Sequence, residues 1–295
     1  MRILIIGGTG FVGLALSKRL ASAGHEIALF HRTLDSFLPF RQIRGDLGNS
    51  DELRGCLESV RPECVIHTMA MNGRHVAALE NALAAPARVV IVSSGDVYKA
   101  FEILSKLSGG PVGDAPLAET APLRSVRYFC RYNDDEYEKI DVEAAALASR
   151  AIEPVIVRLG MVFGLNDPNR RFYDKIEAAK RGAITLPANL AAWRACYAGV
   201  RNVAHGIALA AEKWRGGEIY NLADETVYTE LEWSRIIAAL MSLDVPITVS
   251  AENSQTLNYA QNLVLDTAKI RRELGYVEPF SPESHLLEMI KESSA

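Results

Sequence analysis

Two features that would place this chain in other classes of protein are missing from its sequence. No stretch is rich in lysine or arginine, and the 295 residues carry a net charge of −4. The sequence therefore does not favour non-specific nucleic-acid binding, which needs a concentrated basic surface. The apolar run Arg2–Ile6, which ends before Gly7, is too short for a signal-peptide core or a membrane span. We expect a cytoplasmic protein without nucleic-acid or membrane partners.

Cysteine is also scarce, with four residues in the whole chain. No two cysteines have the C-x-x-C spacing and no histidine cluster accompanies them, so the sequence predicts no metal site. Isolated thiols in a chain of this length favour a reducing compartment. We expect all four to be small, buried hydrophobic side chains: Cys56, Cys64, Cys130 and Cys196.

What the sequence does contain is an alternation of short apolar runs with longer amphipathic stretches. This alternation predicts an α/β fold of the Rossmann type, with a doubly wound parallel sheet covered by helices. Strands are predicted at residues 2–6, 26–31, 64–68, 89–93, 154–159 and 218–223. Helices are predicted at residues 11–23, 134–150 and 200–213.

After Gly160 the alternation becomes irregular in two tracts, which flank the predicted helix at 200–213 and the strand after it. We therefore predict a dinucleotide-binding core made of residues 1–160 plus 195–224. Residues 161–194 plus 225–295 are predicted to form a smaller α/β lobe that binds substrate over the carboxyl edge of the sheet.

A glycine-rich turn follows the first predicted strand and opens an amphipathic helix, the context that marks a dinucleotide site. Gly7 allows a tight turn, Gly10 allows the backbone to approach a pyrophosphate, and Gly13 allows the helix to pack close to the sheet. The N–H groups of the helix start then bind the phosphates. The residues predicted to contact a nicotinamide dinucleotide here are Gly7, Thr9, Gly10, Phe11, Val12 and Gly13.

The end of the second predicted strand bears on which dinucleotide binds. An NAD site usually has a carboxylate there for the ribose 2′-hydroxyl, whereas a basic residue accommodates a 2′-phosphate. His31 occupies the place of the acid and Arg32 follows it, so the sequence favours NADP. Because arginine also stacks on adenine without a phosphate, NAD stays open.

The Thr9-Gly10 form of the turn resembles that of the extended short-chain dehydrogenase/reductase family, which contains nucleotide-sugar epimerases and dehydratases. Further segments carry the same resemblance over nearly the whole chain: 45–47, 65–70, 93–98, 158–164, 219–222 and 266–276. The resemblance implies that Asp46 and Leu47 contact adenine and that Met69 and Ala70 lie beside the cofactor. It also implies a homodimer.

The same resemblance implies three catalytic positions. Ser94 falls where the family has the hydroxyl that binds a substrate carbonyl, and such a hydroxyl stabilises charge developing on the oxygen. Lys139, followed by Glu143, matches the lysine that holds the cofactor ribose and favours the phenolate of a catalytic tyrosine. In the family that tyrosine stands four residues before the lysine, on the same helix face.

This chain departs from the family pattern, because Asp135 stands four residues before Lys139. In an ordinary helix Tyr137 would point about 200° away from Lys139. Tyr137 could still swing inward from an irregular first turn, and Tyr132 could reach the site from the preceding loop. Asp96 lies where sugar dehydratases of the family place acids, but its neighbour Gly95 leaves only one acid there. We predict Ser94, Tyr137 and Lys139 as the catalytic residues.

The long stretch at residues 99–131 is rich in glycine, proline and serine, which predicts a loop that shields the site or a mobile insertion. Family members use arginines of the second lobe to bind nucleotide-sugar phosphates, whereas a solvated surface role is the default for any one arginine. The candidates are Arg170, Arg171, Arg194 and Arg201. We expect an NADP-preferring oxidoreductase or epimerase that transfers hydride to or from a hydroxyl- or keto-bearing small molecule. The alternative is a catalytically degenerate dinucleotide-binding sensor or scaffold protein.

Overall fold

Runs rich in valine, isoleucine and leucine form the central sheet, as the sequence predicts. The computed structural model describes residues 1–34, 37–132 and 135–293. Its strands are β1 Arg2–Ile6, β2 Glu26–His31, β3 Arg41–Arg44, β4 Cys64–His67, β5 Ala87–Ser94, β6 Cys130–Tyr132, β7 Asp135–Tyr137, β8 Ile152–Leu159, β9 Met161–Phe163, β10 Ile184–Pro187, β11 Tyr197–Gly199, β12 Ile219–Leu222 and β13 Ile247–Ser250. The six predicted strands are confirmed.

Helices connect and cover these strands. They are α1 Phe11–Ser22, α2 Ser50–Val60, α3 Gly73–Ala82, α4 Lys99–Leu104, α5 Lys139–Ala148, α6 Tyr173–Lys180, α7 Ala188–Ala191, α8 Val200–Glu212, α9 Glu230–Leu240, α10 Ala268–Leu274 and α11 Pro282–Glu292. The predicted helices at 11–23 and 200–213 are confirmed as α1 and α8. Within the described ranges, no helix is long and apolar enough to cross a membrane.

The main sheet has seven parallel strands in the order β12-β8-β5-β4-β1-β2-β3. The chain runs outward from β1 through β2 to β3, then returns to the other side of β1 and continues through β4. The strand order therefore reverses between β1 and β4. In open α/β sheets a ligand binds outside the carboxyl ends of the strands at this reversal.

Both faces of the sheet are buried, which explains the nearly continuous apolar character of the strands. On one face Ile3 and Ile5 pack into a core that includes residues of α1 and α8. On the other face Leu4 and Ile6 pack into a second core with residues of α2, α3 and α5. The predicted doubly wound α/β fold is thus confirmed. Two short parallel pairs, β9 with β11 and β10 with β13, lie outside this sheet.

Three local predictions are wrong. Cys130 is exposed rather than buried, because it lies on the short β6–β7 hairpin, while the other three cysteines are buried as expected. The helix predicted at 134–150 begins only at Lys139, because residues 135–137 pair with Cys130–Tyr132 as an antiparallel strand. Asn133 and Asp134, at the predicted start of this helix, lie outside the described residues. The stretch 99–131 is also not all loop, since it contains α4 and β6.

Candidate active site

A cleft of about 740 Å³ opens at the reversal of strand order. Its walls come from the ends of β1, β2, β3 and β4 and from α3. The lining residues are Ile6, Gly7, Thr9, Gly10, Phe30, His31, Arg32, Thr33, Gly45, Asp46, Leu47, Gly48, Met69, Met71, Arg74, His75, Ala78 and Tyr132. The glycine turn, the end of the second strand and the 45–47 segment, which are far apart in sequence, therefore face one space.

The glycine turn is shaped so that a bulky anionic group can approach its backbone. Gly7 has a left-handed φ of +85°, and a Cβ on Gly13 would lie 2.2 Å from the Gly7 carbonyl oxygen. Around Gly10 there is more room, since a Cβ there would meet nothing nearer than that same oxygen at 3.6 Å. Gly10 is also the N-cap of α1, and no side chain of the described residues caps this helix. The cleft thus has an open helix N-terminus of the kind that binds phosphate, which fits a dinucleotide.

The far end of the cleft carries the residues that bear on cofactor choice. His31 is buried, and its Nε2 has no hydrogen-bond partner within the part of the chain that the structure describes. Arg32 follows it as an exposed residue at the rim. Asp46 is the one carboxylate among the described lining residues, and its Oδ1 already accepts a hydrogen bond of 2.8 Å from the Gly48 N–H. The described rim therefore offers a cation at Arg32, next to His31, and its carboxylate lies on a different segment, at Asp46.

Other residues predicted to contact the cofactor are not among those that line the cleft. Phe11 and Val12 are the first residues of α1, and Gly13 packs against the turn. Ala70 is fully buried between two lining methionines, and its carbonyl accepts a 2.6 Å hydrogen bond from Lys139. Their predicted roles toward the cofactor stay predictions.

The predicted catalytic residues come together beside Ala70. The Tyr137 hydroxyl donates a hydrogen bond of 2.5 Å to Asp96 Oδ2. The Asp96 N–H donates to Ser94 Oγ at 3.2 Å, because Ser94 caps the short 3₁₀ turn that follows β5. Lys139 Nζ lies 5.6 Å from the centre of the Tyr137 ring and also donates to the Val92 carbonyl at 3.2 Å. A serine, a tyrosine, a lysine and an aspartate thus form one cluster.

The position of Tyr137 corrects the helical argument against it. Tyr137 ends β7, Glu138 caps α5 through its side chain, and Lys139 is the first helical residue. In extended backbone, residues two apart lie on the same side of the chain, so Tyr137 and Lys139 converge despite their short spacing. Tyr132 does not join the cluster through any hydrogen bond found among the described residues. It is 43% exposed and lines the cleft instead.

Burial sets the protonation behaviour of the cluster. It raises the pKa of Asp96, against hydrogen bonds from Tyr137 and Ser94 that lower it. Burial, the charge of Asp96 and the hydrogen bond to it raise the pKa of Tyr137 well above its ordinary value. Burial lowers the pKa of Lys139 to about 8, against the attraction of Asp96 and Glu143. The shifts of Asp96 and Lys139 have the directions that proton-transfer groups need at neutral pH.

Some lining residues had not been expected from the sequence. Arg74, His75 and Ala78 project from α3, and Met71 lies just before this helix. The spacing of Arg74 and Ala78, four residues apart on the helix after the fourth strand, is the signal that could have indicated one helix face at the cleft. His75 Nδ1 contacts the Met69 carbonyl and the Met71 N–H at 3.2 and 3.1 Å.

The stretch 99–131 is anchored rather than loosely attached. The fully buried Glu102 carboxylate accepts hydrogen bonds from the Ser125 hydroxyl and from the Val126 N–H, the latter at 3.0 Å. Further along, Leu117 N–H donates to the Val264 carbonyl at 2.8 Å. These contacts tie the later part of the stretch to α4, with which the stretch begins, and to the C-terminal part of the chain.

The four arginines considered for substrate phosphate are occupied by other contacts and none lines the cleft. Arg170 stacks over Tyr173, and Arg171 pairs with Asp167. The guanidinium of Arg194 donates to the Val227 carbonyl, and Arg201 pairs with Glu288. The structure therefore brings none of them to the Ser94 cluster.

The chain is similar to known proteins over most of its length. Residues 3–223 match the model of the NAD dependent epimerase/dehydratase family. The dTDP-6-deoxy-L-talose 4-dehydrogenase (NAD(P)(+)) of Kitasatospora kifunensis is 24% identical over 321 residues, covering 99% of this chain and 94% of that protein. The 2'-dehydrokanamycin reductase of Streptomyces kanamyceticus is 24% identical over 261 residues, covering 85% and 70%.

Solved structures share the fold. The Thermus thermophilus UDP-glucose 4-epimerase, in complex with NAD, superposes with a TM-score of 0.71 at 20% identity and covers 100% of this chain and 99% of that one. The dTDP-glucose 4,6-dehydratase of Bacillus anthracis, also with NAD, gives 0.74 at 17% identity, covering 100% and 96%. At these identities the likeness supports the fold alone.

Proposed function

The chain belongs to the NAD-dependent epimerase/dehydratase family, and from that premise we propose that it is an NADP-preferring oxidoreductase or epimerase. Its substrate in this proposal is a small molecule with a hydroxyl- or keto-bearing carbon. A nicotinamide dinucleotide bound in the cleft supplies the chemistry by accepting or giving a hydride. The residues proposed to hold it are Gly7, Thr9, Gly10, Phe11, Val12, Gly13, His31, Arg32, Asp46, Leu47, Met69, Ala70 and Lys139.

One observation carries the catalytic half of the proposal: Tyr137 and Lys139 converge beside Ser94 although the family spacing is missing. The Tyr137 hydroxyl and the Lys139 ammonium lie on the same side of the β7–α5 junction. Lys139 Nζ donates to the carbonyl of Ala70, the residue between Met69 and Met71, which line the cleft. This arrangement favours an active site over a degenerate one, because it brings a phenol and an amine together beside the Ser94 hydroxyl.

In the reducing direction the side chains act on the substrate oxygen. Ser94 donates a hydrogen bond to the carbonyl oxygen and stabilises the negative charge that develops on it. Tyr137 gives that oxygen its proton, and Asp96, when protonated, returns a proton to Tyr137 through their hydrogen bond. The Lys139 ammonium stabilises the transient phenolate. In the oxidising direction the proton moves from substrate to Tyr137 and on to the Asp96 carboxylate.

The preference for NADP rests on Arg32. Its guanidinium stands at the cleft rim next to His31, where the sequence has no acid. An arginine fork suits a 2′-phosphate, whereas a ribose 2′-hydroxyl is usually bound by a carboxylate. Two solved structures with the same fold contain NAD, so the choice between NADP and NAD is tested below by measuring both affinities.

The substrate is proposed to bind over the carboxyl edge of the sheet, against a lobe of residues 161–194 plus 225–295. The 4-dehydrogenase and the epimerase to which the chain is similar act on nucleotide sugars by their names, which makes nucleotide sugars the first compounds to test. A homodimer rests on the family resemblance alone. A cytoplasmic location rests on the isolated cysteines.

Turnover of a substrate panel tests the enzymatic proposal. Purified protein is incubated with NADP⁺ or NADPH and with nucleotide sugars, small ketones and secondary alcohols, and nicotinamide absorbance and product formation are followed. The assignment is supported if the wild-type protein turns over any of these compounds and Ser94→Ala strongly reduces that turnover. Tight dinucleotide binding with no turnover, oxidation or epimerisation across the panel would favour the sensor or scaffold alternative.

A fluorescence titration with NADPH and NADH tests the cofactor preference. We expect tighter binding of NADPH, and Arg32→Ala should weaken NADPH by about tenfold, or ~1.4 kcal/mol, while leaving NADH unchanged. Arg41→Ala is the matched control, because Arg41 lies on the neighbouring edge strand and contacts Ser59 rather than the cleft. Equal affinity for both dinucleotides in the wild type would contradict the NADP assignment.

A further inference from the structure

Arg124 is the most enclosed cation next to the catalytic cluster, although it lies in the stretch that the sequence predicts to be a loop. Its side chain and that of Glu138 are both completely buried. Two guanidinium nitrogens, Nη1 and Nη2, donate to the two Glu138 carboxylate oxygens at 2.9 and 2.5 Å. This two-point pairing fixes the orientation of both groups, which a single contact would not.

The guanidinium also donates to the Val126 carbonyl through Nη1, and its Nε reaches Asp96. Arg124 Nε donates to the main-chain carbonyl of Asp96 at 3.0 Å. The guanidinium also lies 4.6 Å from the centre of the Phe129 ring, whose edge-on partner is the Tyr137 ring at 6.0 Å. One side chain therefore touches the backbone of Asp96 and the aromatic neighbour of Tyr137.

Glu138 connects Arg124 to Tyr137 and Lys139, because it lies between these two residues in the chain. Its carboxylate accepts a hydrogen bond from the Ile140 N–H at 3.0 Å, which caps α5. Its own N–H donates to the Met71 carbonyl at 2.7 Å. These bonds set the change from strand to helix that brings Tyr137 and Lys139 to the same side.

We propose that Arg124 is a positioning residue that holds the Tyr137 hydroxyl in hydrogen-bond reach of Asp96 by bridging Glu138 and the Asp96 backbone. This role rests on the proposed function of Tyr137 and Asp96 in proton transfer. It requires the forked geometry of the guanidinium, since a lysine at this position supplies the charge but not two parallel donors together with a third.

Arg124→Lys in the full chain tests the proposal. We expect kcat to fall by roughly 10- to 100-fold, as a small misplacement of reacting groups does, with KM and the Kd for NADPH changed less than about threefold. The matched control is Arg127→Lys. Arg127 also contacts Glu138, at 3.0 Å, but its side chain is 36% exposed and it reaches neither Asp96 nor Phe129 by any contact within the described residues.

Glu138→Gln provides a second variant if Arg124→Lys does not fold. The glutamine keeps one oxygen acceptor for the Arg124 guanidinium, and we expect this variant also to have a lower kcat. A wild-type kcat in either folded variant would overturn the proposal. An equal loss of melting temperature, NADPH affinity and kcat would also overturn it, because that pattern describes a purely structural pair.

A readout without turnover separates this inference from the proposed function. Subtracting the ultraviolet pH titration of Tyr137→Phe from that of its parent isolates ionisation of the Tyr137 phenol. The same subtraction in the Arg124→Lys background should show Tyr137 ionising at a lower pH. The hydrogen bond to Asp96 raises the pKa of Tyr137, and in this variant that bond is loosened. If the ionisation of Tyr137 shifts although the wild-type protein turns over none of the tested substrates, Arg124 positions Tyr137 and the proposed catalysis fails. If the ionisation of Tyr137 is unchanged in Arg124→Lys, the positioning role itself is overturned.

Discussion

The Tyr137 hydroxyl donates a 2.5 Å hydrogen bond to Asp96 Oδ2. The other carboxylate oxygen, Oδ1, is buried without a partner among the described residues. The hydrogen bond between Tyr137 and Oδ2 is the path along which the aspartate can take up the phenol proton as the phenol accepts one from a substrate, and can return a proton when the phenol gives its own to a substrate. In this arrangement the tyrosine is poised by a carboxylate on one side and by the Lys139 ammonium on the other.

Replacing Tyr137 by Phe should abolish most of the activity and leave the dinucleotide in place. We expect kcat to fall by roughly 10²- to 10⁴-fold, the usual contribution of a general acid or base, because Phe keeps the ring but cannot transfer a proton. Steady-state kinetics and an NADPH titration provide the measurement. Tyr132→Phe is the control, since Tyr132 lines the cleft as a largely exposed side chain. A large loss in Tyr132→Phe with normal activity in Tyr137→Phe would exchange their roles.

The sequence predicts the parts of this protein that depend on local pattern. The buried strands β1, β2 and β4 follow from apolar runs, and the glycine turn follows from its place between strand and helix. β3 has no such run, because Arg41–Arg44 lies at the sheet edge and is only partly buried. The composition of these four residues therefore does not predict a strand.

The catalytic geometry depends on contacts between distant segments, which local pattern does not contain. Residues 135–137 have no strand-like composition and become a strand by pairing with Cys130–Tyr132. Arg124 and Glu138 are 14 residues apart, in stretches that predict a loop and a helix, and their pairing is visible only once both are folded. The short spacing of Tyr137 and Lys139 thus looked incompatible with catalysis for a reason that holds only in a helix.

Asp96 should give the two reaction directions opposite pH dependence. Burial raises its pKa. Reduction uses the protonated acid, so its rate should fall as the pH rises through this raised pKa. Oxidation uses the carboxylate, so its rate should rise over the same range. Profiles of kcat against pH in both directions provide the measurement, and Asp96→Asn should lose this dependence and slow both reactions. Profiles that keep the same limb in Asp96→Asn would assign it to another group.

Lys139→Met should weaken dinucleotide binding and collapse turnover, because methionine fills the buried space without the charge. Burial lowers the pKa of Lys139 to about 8, so the ammonium is lost as the pH rises through that value. We therefore expect the Kd for NADPH to increase above about pH 8 in the wild type and to be independent of pH there in the variant. Lys18→Met, at an exposed position on α1, serves as the control. Kinetics unchanged by Lys139→Met would refute its assignment.

Alanine substitutions in the glycine turn should separate cofactor binding from folding. In Gly13→Ala the new Cβ would lie 2.2 Å from the Gly7 carbonyl oxygen and 2.7 Å from the Gly8 Cα. Backbone atoms cannot move aside cheaply, so we expect a loss of stability of about 1–3 kcal/mol, as for other overpacked sites, together with loss of binding. Thermal unfolding and NADPH titration of the same preparation measure both effects.

Gly10→Ala should affect binding much more than stability. Its Cβ would be 3.6 Å from the nearest atom, the Gly7 carbonyl oxygen, and a change from Gly to Ala at a helix N-cap costs about 0.5–1 kcal/mol. The methyl group would nevertheless stand where the backbone must approach the pyrophosphate. We expect a nearly unchanged melting temperature and an NADPH affinity at least about tenfold weaker, a difference of ~1.4 kcal/mol. Wild-type affinity in Gly10→Ala would mean that the dinucleotide does not bind on this turn, because no other change in the variant could compensate for a methyl group placed against the phosphates.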